Sequence, residues 1–145
     1  MFYGEYAHTI DRKGRIIVPA KFRQVLKEQQ IHSLFITRGL DGCLFLFPEA
    51  EWRVAENRFK QIPFTKGEGR KFTRLLFSGA MEVTIDSLGR LHVPKTLKEF
   101  AGIKQDVVVV GVSNRMEVWS KENWQVFYES SRQSFEEVAE RVMVE

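Results

Sequence analysis

Short β-rich runs of apolar and polar residues recur along the chain, each closed by turn or helix-start residues. "YAHTI" and "RIIVP" open the first half, and "MEVTI" and "RLHVP" stand in the same order past the middle. Each reads as a strand, and the proline closing each second run has no N–H for a further ladder bond. The spacing then changes to that of a helix. "PAKFRQVLKEQ" puts Phe22, Val25 and Leu26 on one side, and "PKTLKEFAG" does the same with Leu97, Phe100 and Ala101. Proline suits the first helical position, where its missing N–H leaves nothing unpaired, and Gly102 fits a C-cap. Two hairpins follow: "LFITRG" to "CLFLF" through Leu40-Asp41-Gly42, and "VVVVGV" to "MEVW" through Ser113-Asn114-Arg115. A helix then opens near Glu49 or Ser120 and passes through Trp52 or Trp124.

The two series are copies of one pattern. "FYGEYAHTIDRKGRIIVP" (2–19) matches "FSGAMEVTIDSLGRLHVP" (77–94), and "LFITRGLDGCLFLFPEAEW" (34–52) matches "DVVVVGVSNRMEVWSKENW" (106–124). The offset shortens between these blocks, so the first half carries extra residues around 27–33, an ordinary loop-length change. Each half alone makes a meagre core, and two halves closing on each other would remove exposed strand edges. The expected fold is mainly β (α+β): a pseudo-twofold β-barrel of two tandem βαββ-type halves, with short helices at its rim and a C-terminal helix. The expected organisation is half one at 1–53, a basic linker at 54–75, half two at 76–128 and a helical tail at 129–145. In the C-terminal piece Trp124, Phe127, Tyr128, Phe135, Val138, Ala139 and Val142 form an apolar stripe. It reads as core cover, with a subunit contact as the alternative.

Composition narrows the classes. The chain has 145 residues, 43% of them hydrophobic, which is enough for an interior and against wholesale disorder. The longest apolar run, "VVVVGV", has strand length and falls far short of a membrane span. Glu5 and Asp11 interrupt the start, so a secretory leader is not expected. A single cysteine, Cys43, and three scattered histidines argue against a disulfide and against a structural metal site. A cytoplasmic protein without cofactor or metal is expected. The formal charge is only +3, a mild hint of a polyanionic partner. Arg53, Arg58, Lys60, Lys66, Arg70, Lys71 and Arg74 crowd the middle of the chain, whereas the tail carries Glu129, Glu136, Glu137, Glu140 and Glu145.

The candidate chemistry lies in the repeated "DRKGR" (11–15) and "DSLGR" (86–90). Gly14 and Gly89 fit a backbone conformation costly for other residues, and Asp11 and Asp86 can cap the turn's N–H groups. By itself this is equally an Asp-stabilised turn with its arginine paired to the aspartate. The functional reading concerns Arg15 and Arg90, whose five-donor forks can meet phosphate or the edge of guanine. Arg12 and Lys13 add a basic tip to the first copy, and Lys21 and Arg23 follow on the adjacent helix. Ser87 and Leu88 replace the tip charges in the second copy, so the first turn is expected to carry more of any DNA binding. His92 reads as a half-exposed strand residue.

"MFYGEYAHTIDRKGRIIVPAKFR", "GCLFLFPEAEW", "RLLFSGAMEVTIDSLGRLHVPKTLKEFAG" and "VVVVGVSNRMEVWSKENW" together resemble the MraZ family of bacterial transcriptional regulators, through about Tyr128. The resemblance implies tandem AbrB-like (SpoVT-AbrB type, double-psi) halves within one chain, and ring-shaped homo-oligomers, commonly octameric. It implies a nucleoid-associated repressor of its own division and cell wall gene cluster, bound to direct repeats upstream of the operon. Asp11 with Arg15 and Asp86 with Arg90 would match the family's two DNA-binding motifs, the arginines as contacts and the aspartates setting the loops. A ring would also answer a physical difficulty, since a few phosphate contacts per chain bind weakly and many loops at high effective concentration do not.

Two rivals are weighed against this. An enzyme lacks support: there is no glycine-rich phosphate loop and no nucleophile series, and an Asp11–Asp86 dyad would lack the small residues that usually follow catalytic aspartates. An antitoxin-like or scaffold module would use an aromatic surface, but Trp52 and Trp124 are equivalents in the duplication and read as core positions.

Overall fold

A computed structural model describes residues 1–144. The first half contains β1 (Phe2–Thr9), β2 (Arg15–Ile17), α1 (Ala20–Glu28), β3 (Ser33–Arg38), β4 (Leu44–Phe47), α2 (Glu49–Lys60) and α3 (Gly67–Gly79). The second repeats the order with β5 (Met81–Thr84), β6 (Arg90–His92), α4 (Lys95–Phe100), β7 (Asp106–Ser113), β8 (Met116–Ser120), α5 (Lys121–Arg132) and α6 (Phe135–Val142). Each half is therefore a strand, a βαββ unit and a helix pair, in a mixed α/β fold. Pro19 and Pro94 stand immediately before α1 and α4, with backbone angles outside the helix.

The halves exchange strands. Six strands form one antiparallel sheet in the order β1-β7-β8-β4-β3-β5. β1 of the first half lies on the second half's hairpin (Phe2 opposite Ser113), and β5 of the second lies on the first half's (Ser33 opposite Thr84). β2 and β6 pair with each other as a separate two-stranded ribbon. No ladder joins β1 to β5 among the described residues, so the expected closed barrel is not found as a continuous ring of hydrogen bonds. The reason is local. The ribbon strands satisfy one another, and β2 meets β1 only through the single Ile10–Ile16 bridge.

β4 and β8 are buried along their whole length because each face has its own core. Leu44, Leu46, Met116 and Val118 point into the main cluster with Leu34, Ile36, Phe22 and Leu97. Phe45, Phe47 and Trp119 point the other way, into a second cluster with Cys43 and Trp52. Period-two alternation gives one strand both jobs. Each fully buried aliphatic side chain contributes roughly 1.5–3 kcal/mol, so this central seam dominates the packing.

Residues 54–75, expected as a basic linker, hold the rest of α2 and most of α3. Pro63 lies in the break between them, and the Phe59 and Phe72 rings meet at 5.4 Å across it. The Thr37 hydroxyl and Arg38 guanidinium donate to the Leu76 and Leu75 carbonyls and tie α3 to β3. Because α3 runs through Phe77 to Gly79, β5 has four residues where β1 has eight, although the two stretches match in sequence.

The C-terminal stripe gives the expected core cover only in its first part, where Trp124 and Phe127 lie against the buried Trp119. Ser120 caps α5 by accepting from the Asn123 N–H at 3.1 Å, and Trp124 packs edge-on to Trp119 at 5.3 Å. Beyond that no residue of α5 or α6 is buried, and Phe135 and Val142 are about three-quarters exposed. The counterpart α3 folds back, placing Phe77 against Trp52. α6 leaves its apolar face uncovered.

Candidate nucleic-acid interface

The two repeated turns are built alike. One Asp11 carboxylate oxygen accepts from the Lys13 and Arg15 backbone N–H groups, both at 2.9 Å, and the other accepts from Arg15 Nε at 2.8 Å. Asp86 accepts from the Leu88 and Arg90 N–H groups at 3.0 and 2.8 Å, and from Arg90 Nε at 2.8 Å. Gly14 and Gly89 sit at φ +78° and +80°, where a side chain would be strained. The Arg15 and Arg90 backbone N–H bonds are the largest cause holding Asp11 and Asp86 below the usual carboxylate range. The same arginines' side chains add to it, and partial burial opposes it.

Each turn is also latched by the other half. The Val18 N–H donates to the Gly89 carbonyl at 2.9 Å, and the Val93 N–H donates to the Gly14 carbonyl at 2.7 Å. Between the latches the ribbon pairs Arg15 with His92, Ile16 with Leu91 and Ile17 with Arg90. Ile16 and Leu91 are buried in the main core. By strand alternation Arg15, His92, Ile17 and Arg90 share the opposite, outward face. His92 and Ile17 are exposed there, Ile17 by 41%, and the two arginines are half-exposed.

The expected aspartate–arginine pairing is thus present in both turns, and it does not consume the arginines. Nε makes the bond to aspartate, and the terminal Nη groups of Arg15 and Arg90 make no hydrogen bond among the described residues. Arg12 and Lys13 are exposed at the first tip, as Ser87 and Leu88 are at the second. Lys21 is exposed on α1. Arg23, expected beside the first turn, lies instead on the second: a Cβ at Gly89 would meet its Cδ at 2.5 Å. Ile17, which sequence reasoning left out, lies opposite Arg90 and two residues from Arg15, and its signal was the alternation in "RIIVP".

No group of three or more His, Cys, Asp or Glu side chains suited to a metal occurs among the described residues. Cys43 is buried, and burial with the nearby Glu117 carboxylate pushes its thiol up to about 12. No helix among the described residues is long and apolar enough to cross a membrane.

A duplicated chain that exchanges strands and presents two cross-latched arginine turns on one ribbon defines a class of tandem-repeat proteins. The family model described as "MraZ protein, putative antitoxin-like" matches residues 1–75 and again 76–145. The chain belongs to the MraZ family, which is associated generally with transcriptional regulation of division and cell wall genes and whose members are not enzymes.

Proposed function

We propose that this protein is a sequence-specific DNA-binding transcriptional regulator, a cytoplasmic, nucleoid-associated repressor of its own division and cell wall gene cluster. The observation that carries the reading is the ribbon's outward face, where Arg15, Ile17, Arg90 and His92 lie side by side with the arginine Nη groups unengaged. A two-stranded ribbon has the width to enter a B-DNA major groove, where an arginine fork pairs with guanine O6 and N7. Arg12, Lys13 and Lys21 flank that face and would hold backbone phosphates. The exchange of β1 and β5 between halves supports the double-psi, AbrB-like assignment that forms part of this proposal.

The active form is a homo-oligomeric ring of about eight copies, bound to promoter direct repeats. One ribbon makes too few contacts for tight binding at physiological salt, and linking several raises avidity by roughly 10²–10⁴ without new contacts. The exposed apolar face of α6, flanked by Glu136, Glu137 and Glu140, is a surface for a second copy. The basic α2–α3 pair, with Val54, Phe64 and Leu75 exposed, has complementary charge. An antitoxin-like partner would use the same α6 face, so a monomer in solution would favour that reading.

The test is salt-dependent binding to duplexes from upstream of this protein's own gene, carrying one, two or more repeated boxes. Wild type should bind multiple boxes steeply better than one, and Arg15→Ala and Arg90→Ala should abolish or strongly weaken it. Equal weak binding to every probe, untouched by either substitution, would sink the proposal.

A further inference from the structure

We infer that Arg23, a first-half residue, supplies with Lys27 the cationic wall of a phosphate-binding groove at the second turn. This rests on the DNA-binding reading above and assigns which turn the residue serves.

Three observations converge. A Cβ at Gly89 would lie 2.5 Å from Arg23 Cδ, 2.8 Å from Nη1 and 2.9 Å from Nε, so the side chain lies flat across the second turn's glycine. Gly89 is buried under it, whereas Gly14 is half-exposed. Arg23 is also anchored there: its Nε donates to the Val18 carbonyl at 2.9 Å, and the Val18 N–H donates to the Gly89 carbonyl. Finally, Arg23, Lys27, Asp86, Ser87 and Gly89 line one open groove of about 340 Å³, together with His32.

The arrangement has no mirror in the first turn. Lys98 follows Pro94 at the spacing by which Arg23 follows Pro19. Yet the nearest atoms to a Cβ at Gly14 belong to His92 and Val93, with nothing from α4. The first turn carries its own tip charges in Arg12 and Lys13. The second has Ser87 and Leu88 at its tip and takes its cations from α1 of the other half. The Asp86 carboxylate on the groove wall is paired with Arg90 and with two backbone N–H groups, so it does not bar an anion. With Nε held, the Arg23 Nη groups face a ligand already oriented, which favours a DNA backbone phosphate over a base edge. The two turns then offer comparable positive footprints, against the unequal shares that the tip residues suggest.

The decisive experiment is a salt titration of duplex affinity for Arg23→Gln and Lys27→Gln, with Arg23→Gln also combined with Arg15→Ala and with Arg90→Ala. Arg23→Gln should weaken binding by the same factor on every sequence and reduce the slope of log K against log salt by about one. Its effect should be non-additive with Arg90→Ala, which shares its turn, and additive with Arg15→Ala. Lys27→Gln breaks no hydrogen bond of the fold and should lower the slope similarly, which covers the case in which Arg23→Gln unfolds. Unchanged slopes in both variants, or coupling to Arg15 in place of Arg90, would overturn the assignment while leaving DNA binding intact. If wild type bound no duplex, the broader reading would fall with it.

Discussion

Asp11 and Asp86 each accept two backbone N–H bonds and one guanidinium bond, which is all a turn of this size can direct at one carboxylate. The aspartates hold the loops, and each arginine is tied to its aspartate through Nε alone. Because the folded-state pKa of each aspartate lies below the ordinary 3.8, their contribution to stability is fully present above that value. It is lost as pH falls through the folded pKa. Asp11→Asn and Asp86→Asn should therefore flatten the acid limb of a stability-versus-pH curve below about pH 4. Melts followed from pH 2 to 6 check this, and an unchanged acid limb would contradict it. These turns were legible from the motif alone, since aspartate, glycine and arginine at that spacing leave few geometries open. Arg23 was named as a candidate, but its place at the second turn was not legible. Its neighbour in sequence is the first turn, and only the pairing of β2 with β6 brings it to the second.

At the scale of elements, the strands, the small helices and both hairpins followed from alternation and turn residues. The halves differ most at α3 and α6. "FSGAMEVTI" matches a strand by position, yet Phe77 to Gly79 complete a helix because Phe77 is drawn onto the Trp52 cluster. Trp52 is almost wholly buried and stacks at 5.7 Å on Phe35, whereas its equivalent Trp124 stays half-exposed. Trp52→Ala should accordingly cost about 3–5 kcal/mol. Trp124→Ala should cost well under half as much in dilute protein, both read from urea midpoints. Equal costs would mean that a second copy covers Trp124 even at low concentration. An apolar stripe cannot by itself say whether its own core or another chain will cover it, and that is why α6 was misread as core cover.

Across the whole molecule, duplication was plain in the sequence, but its pairing was not. Whether β1 packs on its own hairpin or on the other half's makes no difference to which faces are apolar, so the pattern is silent on the choice. The β2–β6 pairing also crosses the halves: each arginine turn is closed by a hydrogen bond from the opposite half, so the two turns belong to one ribbon. Ile17 lies on that ribbon's outer face, away from the core, directly opposite Arg90 and two residues from Arg15. The most direct measurement is operator binding by Ile17→Glu, with a thermal melt to confirm the fold. A carboxylate placed there should abolish DNA binding while the melting temperature stays within a few degrees of wild type. Undiminished binding by a folded Ile17→Glu protein would mean that the ribbon does not face the DNA.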